Sequence, residues 1–155
     1  MGDLLLILFD ILNFGLVVLL WWFTVTNYRS LPEKIPTHFD VEGKADQFGN
    51  KKFSFLIPAL SILFYTGIFF LVRFSTMVNF PVEITQANQE IQFFIMNFFM
   101  RWLLLLVLLI FLNSQDYIFR YSHDENAKVK VSFSVMLFAV IGSLIAVFII
   151  TSQFK

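Results

Sequence analysis

Four long apolar stretches, about Leu4 to Val25, Phe53 to Phe74, Gln92 to Leu112 and Val131 to Thr151, dominate this chain of 155 residues. Each reaches the roughly 20 residues that an α-helix needs to cross a hydrocarbon core about 30 Å thick. Hydrophobic residues make up 58% of the chain and charged residues only 14%, against about a quarter charged in soluble domains. A water-soluble fold of this size could not hide that much apolar surface. The sequence therefore predicts an all-α membrane protein of four transmembrane helices with an ordered polar loop between helices 1 and 2, forming a single integral membrane domain over residues 1–155.

The first span begins almost at Met1, with no basic residue before it and no small-residue cleavage site behind it, so it is expected to be retained as a helix. The 22 phenylalanines scatter around every span without forming a stripe, which suits lipid-facing and helix-packing surface better than a cofactor box. Eleven basic residues balance eleven acidic ones, which argues against nucleic acid and is otherwise uninformative about partners; the four spans make membrane lipids the expected partner. The absence of cysteine excludes disulfides, thiol catalysis and cysteine-ligated metal.

Three connections separate the spans. The second, Ser75 to Ile91, contains Pro81 and Glu83, which read as the first turn of a helix leading into the third span. The third, Asn113 to Lys130, has few helix breakers before Ser122, so the third span is expected to continue past the membrane as a polar helix carrying Arg120 and Tyr121. The first, Asn27 to Lys52, is longer than a turn requires. With four crossings, the first and third loops share one side of the membrane. They hold Arg29, Lys34, Lys44, Lys51, Lys52, Arg120, Lys128 and Lys130, whereas the other side holds Arg73 and Lys155. The positive-inside rule then puts both termini outside the cytoplasm.

Polar residues inside the spans follow helical spacing. Asp10, Asn13 and Thr24 lie on one face of the first span, which should turn toward the bundle interior. Glu90, Asn97, Arg101 and Gln115 share a face of the third. A charge at the depth of Arg101 costs roughly 2.5 to 3.5 kcal/mol on insertion scales. Both helices start from the same side, so Asp10 and Arg101 fall at similar depth and are expected to form an ion pair or share a water-filled cleft. The pair has two readings: a device that fixes helix register, or a proton or ligand site. In the fourth span Ala139, Gly142, Ser143 and Ala146 form a small-residue seam suited to close helix packing. Pro58 sits near the start of the second span, where its missing N–H costs little.

The first loop carries the most specific pattern: Tyr28, Leu31-Pro32, Ile35-Pro36, His38-Phe39, then Gly43, Asp46, Gly49 and Lys51. Pro32 and Pro36 hold the chain extended, Leu31, Ile35 and Phe39 can cover the bundle end, and Gly43 and Gly49 would allow positive φ in turns around Asp46. This describes a rigid cap on the membrane surface. His38, Asp40, Glu42 and Asp46, with His123, Asp124 and Glu125 of the third loop, are residue types that bind metals. Their spacing matches no standard zinc motif, and a lone histidine beside acids more often forms a hydrogen bond. No metal and no cofactor are therefore expected.

At these residues the sequence resembles the SdpI-type membrane proteins of bacteria, whose shared domain of unknown function has a Leu-Pro-x-x-Ile-Pro-x-His-Phe, Gly, Asp, Gly, Lys loop. A second likeness lies in Asn79, Pro81, Val82, Ile84 and Thr85 with Asn88 and Gln92. The resemblance implies a multi-pass protein of the bacterial cytoplasmic membrane with the motif loop outside, opposite to the charge count. The family's named member protects its producer against a secreted peptide toxin and takes part in signalling to a repressor. Three classes of function follow. The first is a non-catalytic binding or protective, immunity-like protein whose loop recognises a peptide, lipid or membrane protein. The second is an accessory subunit that assembles with itself or with a larger complex. The third is a membrane enzyme with His38 as general base and Asp46 orienting it. Against an enzyme stands the lack of a nucleophile motif, a metalloprotease helix or a glycine-rich phosphate loop.

Overall fold

The computed structural model describes residues 2–40, 42–73 and 79–155. Among the described residues four helices are long and apolar enough to cross a membrane: α1 (Gly2–Asn27), α2 (Leu56–Arg73), α3 (Gln89–Tyr121) and α4 (Phe133–Ser152). The chain is thus a multi-pass membrane protein in contact with lipid, and large apolar side chains on every helix, among them Leu4, Trp22, Phe70 and Phe138, face outward. The expected end of the second span at Phe74 and the start of the second connection fall outside the described residues.

Between α1 and α2 the polar loop folds into an antiparallel hairpin, β1 (Lys34–Phe39) and β2 (Ala45–Asn50). A short 3-10 turn over Lys51–Phe55 then leads into α2, with the Asn50 side chain accepting from Lys52 N–H at 2.9 Å. Pro58 lies in the first turn of α2, where no intrahelical partner awaits its nitrogen, and its carbonyl accepts from Trp21 Nε1 at 3.1 Å. That bond ties α2 to α1.

The central helix is α3, which packs on α1, α2, α4 and β1. Its 33 residues span about 50 Å at 1.5 Å per residue, so about two-fifths of it continues beyond a hydrocarbon core about 30 Å thick. Val17 of α1 meets Leu104 and Leu108 of α3 in the membrane core, with Tyr65 and Ile68 of α2 packed against them. One level higher, fully buried Gln115 donates to Thr24 Oγ1 at 3.1 Å and to the Ser54 carbonyl at 2.9 Å. One amide therefore binds three segments where water cannot compete.

The N-terminal end of α3 differs from the sequence reading. Pro81 and Glu83 start no helix; residues 79–88 run irregularly and α3 begins at Gln89. The reason is a reciprocal lock in which Thr85 N–H donates to Asn88 Oδ1 at 2.8 Å and Asn88 N–H to Thr85 Oγ1 at 3.3 Å, while Asn88 Nδ2 holds the Glu83 carbonyl at 3.0 Å. Local side-chain bonds of this kind compete with helix and win near a terminus. The seam expected on α4 also differs. Ser143 accepts from Trp102 Nε1 at 2.8 Å, but Ala139, Gly142 and Ala146 are exposed, and a Cβ at Gly142 would meet nothing within 4 Å. α4 meets α3 through Ser143 and through the Thr151 carbonyl, on the neighbouring stripe that also buries Val147.

Buried Gln92 closes the bundle at this end by donating to the carbonyls of Thr151 at 2.9 Å and Phe154 at 2.8 Å. The last carbonyls of a helix have no partner of their own. Gln92→Leu is expected to remove the Phe154 carbonyl's donor and to leave the Thr151 carbonyl with the Phe154 N–H at 3.2 Å, to cost about 1–3 kcal/mol, and to speed hydrogen exchange in the last turn of α4 while the amides of mid-α1 keep their protection.

Candidate functional site

The hairpin rests on the part of α3 that outruns the membrane. Leu31 and Ile35 are buried against Phe119, with Phe23, Tyr28 and Ile118 around them. Phe39 sits between Tyr117 and Tyr121, at ring distances of 4.6 and 5.3 Å. The two tyrosines also hold backbone: the Tyr117 hydroxyl donates to the Gly43 carbonyl, and the Tyr121 hydroxyl accepts from Ala45 N–H at 3.2 Å. Pro36 is buried and Pro32 exposed. Lys51 pairs with Glu33 at 2.9 Å and lies 5.4 Å from the centre of the Tyr28 ring, which fastens the end of the hairpin to its start.

The two glycines serve different purposes. Gly43, at φ 83, adopts the left-handed conformation that the turn requires. Gly49 was expected to do the same, but it is a strand residue opposite Ile35 without positive φ. A Cβ there would come within 2.8 Å of Thr37 Cγ2 and 3.0 Å of Phe53 Cδ2, so the need is for space. Asp46, likewise, lies in β2 and not in a turn. The turn is organised by Asp40, whose carboxylate accepts from the N–H groups of Glu42 at 2.9 Å and Lys44 at 2.8 Å.

His38 and Asp46 meet on the exposed face, Nδ1 to Oδ1 at 2.6 Å, with side-chain exposures of 58% and 46%. Regular strand alternation would turn Asp46 away from a residue paired with Gln47. Register shifts between Pro36 and His38 and between His38 and Phe39 place Thr37 and Asp46 outside the paired rungs, and such bulges re-aim side chains. A carboxylate only accepts, so Nδ1 carries the proton, and Nε2 of neutral His38 is left as an acceptor facing solvent. Phe48, two residues after Asp46 on β2 and paired with Pro36, is 53% exposed.

His123 does not join them. It lines a separate cavity of about 420 Å³ with Asn27, Asp116, Arg120 and Asp124. Among the described residues no three His, Asp or Glu side chains come together to hold a metal ion.

The second set of predicted residues lies at the other end of the bundle. Arg101 donates Nε to Asp10 Oδ1 at 2.8 Å and Nη2 to Oδ2 at 3.1 Å, a two-pronged pair, and Nη1 to the Asn97 carbonyl at 3.0 Å. Asn13, fully buried, donates to the Arg101 carbonyl at 3.1 Å. Asn97 Nδ2 bonds its own helix at Phe93, and Glu90 of the same face is exposed. The Arg101 side chain is 13% exposed and that of Asp10 52%, because Asp10 opens onto a cavity between α1, α2 and α3.

Sequence reasoning placed Tyr121 on the helical extension of the third span but gave it no role, and missed Tyr117 and Phe119. Their signal is the i, i+4 spacing of two tyrosines in a stretch beyond the length a membrane needs.

A family model described as a domain of unknown function (DUF1648) matches residues 15–62, which run from mid-α1 through the hairpin into α2. A protein of Archaeoglobus fulgidus named only as an uncharacterized protein is 28% identical over 151 residues, covering 88% of this chain and 81% of its own length. No solved structure matches. Over the hairpin and its flanking helices, then, the chain is similar to a domain whose function is unknown.

Proposed function

We propose that the protein is a non-catalytic, protective binding protein of the bacterial cytoplasmic membrane, in the manner of SdpI-type immunity proteins, whose hairpin recognises an extended peptide. The observation that carries this reading is a rigidly mounted hairpin with an uncovered chemical face. Tyr117 and Tyr121 fix it from below, while His38, Asp46 and Phe48 are open to solvent. The sheet has two strands, and β1 packs on α3, so the outer edge of β2 offers its backbone groups to an added strand. General acid-base catalysis would call for a reacting group held against the histidine, and His38 and Asp46 line none of the cavities described above.

The test uses a toxin-sensitive bacterium that produces the protein and is challenged with a secreted peptide toxin. Protection is expected with the wild type and is expected to fall at least about tenfold, the loss of one charge-assisted bond, in His38→Ala and Asp46→Ala at unchanged thermal stability. Absence of protection by the wild type, or cytoplasmic labelling of a single cysteine at Gln47 in this cysteine-free chain, would overturn the reading. Hydrolysis of the peptide that His38→Ala abolishes would show an enzyme instead. A second reading, an accessory subunit, is favoured by the exposed Ala139, Gly142 and Ala146 on α4. A stable hetero-complex in native mass measurement would select it.

A further inference from the structure

The cavity beside Asp10 and Arg101 lies at the opposite end of the bundle from the hairpin, and its charges do not balance. It measures about 450 Å³ and is walled by Tyr65, Ile68, Phe69 and Val72 of α2 and Leu104 of α3, with Arg73 and Arg101 on the same surface. That volume is in the range of small-ligand sites, about 300–1,000 Å³. Asp10 neutralises Arg101. Arg73, the last residue of α2, is exposed and has no partner among the described residues, so the cavity holds two guanidiniums against one carboxylate. Arg101 keeps one Nη2 N–H beyond its bonds to Asp10 and Asn97.

Position adds to charge. Arg73 is the last residue of a span long and apolar enough to cross a membrane, which sets its guanidinium near the level of lipid headgroups. Ile68 and Phe69 lie about one turn deeper, roughly 6 Å at 1.5 Å per residue, and Tyr65 one turn below them, beside Phe14 of α1 at a ring distance of 6.0 Å. A ligand that fits must bring a compact anion to the mouth and an apolar chain to the wall. We infer that this cavity binds an anionic phospholipid, its phosphate between Arg73 and the free edge of Arg101 and an acyl chain along Ile68, Phe69 and Val72. Guanidinium is the side chain best matched to phosphate oxygens. The Asp10 carboxylate holds the Arg101 edge in place and makes the site's charge +1, the complement of a singly charged headgroup.

The full chain purified in micelles and exchanged against equal amounts of phosphatidylglycerol and phosphatidylcholine tests this by native mass spectrometry. The wild type is expected to retain phosphatidylglycerol preferentially. Arg73→Gln, on an exposed helix end, is expected to lower that preference about fivefold, the worth of one basic residue near an anionic surface, at unchanged unfolding temperature. Lys130→Gln, on the hairpin side, should leave it intact. Equal retention of the two lipids, an unchanged preference in Arg73→Gln, or an equal loss in Lys130→Gln would overturn the inference. Excess inorganic phosphate should not displace the lipid; if it does, the ligand is free phosphate and the phospholipid assignment is wrong.

Discussion

Asp10→Ala is expected to destabilise the protein by about 3 kcal/mol, the scale on which an uncompensated arginine inside a membrane is penalised, whereas Arg101→Leu should cost clearly less. The asymmetry comes from burial. An orphaned Asp10 is half exposed to its cavity, where solvent can reach its carboxylate. An orphaned Arg101 cannot lose its charge, and its side chain is only 13% exposed. The double variant Asp10→Ala, Arg101→Leu should therefore be more stable than Asp10→Ala alone, because it buries no charge. Unfolding of the four proteins in detergent closes the cycle, with an expected coupling of about 1–3 kcal/mol. Losses that simply add would show that the two groups, though 2.8 Å apart, are independently solvated.

The four spans were legible because the hydrocarbon core imposes a length that no soluble helix must meet, and the spacing that set Asn13 and Thr24 on one face of α1 is the helical period itself. The hairpin was not legible as strands. Of β1, Lys-Ile-Pro-Thr-His-Phe, and β2, Ala-Asp-Gln-Phe-Gly-Asn, neither alternates apolar with polar residues, and both carry residues that ordinarily weaken a ladder. Pro36 lacks an N–H and Gly49 lacks a side chain to pack. Two register shifts finish the erasure, since the period of two on which strand reading rests is broken at Thr37 and Asp46. At the start of α3 two local signals competed. The proline at position 81 was an attractive first helical residue, but Thr85 and Asn88 satisfy each other's backbone groups several residues later, and α3 starts only after them. Gly43 and Gly49 look alike in sequence; what separates the strand glycine from the turn glycine, a crowded Thr37 methyl and Phe53 ring, exists only after the chain has folded back.

The mounting of the hairpin on α3 gives the second large effect. Tyr121→Ala removes a buried ring that touches Phe39 and an oxygen that accepts from Ala45 N–H, and is expected to cost about 3 kcal/mol, as aromatic truncations in packed sites do. Tyr121→Phe keeps the ring and loses only the acceptor, at about 1 kcal/mol. Tyr117→Phe should behave likewise, because its hydroxyl serves the Gly43 carbonyl while its ring stays against Phe39. Tyr117→Ala combined with Tyr121→Ala leaves Phe39 without its clamp and both ends of the turn without their anchors. The hairpin should then open locally while the membrane helices, held by Gln115 and by the Val17, Leu104 and Leu108 core, remain folded. Hydrogen exchange separates these outcomes: amides of residues 34–50 should lose protection in the double alanine variant while those of mid-α1 and mid-α3 keep theirs. If the hairpin stays protected without both tyrosines, its rigidity resides in the Leu31, Ile35 and Phe119 cluster beneath it. If instead the whole bundle loses protection, the hairpin and the helices form one cooperative unit, and the extension of α3 stabilises the membrane domain as well as the surface it carries.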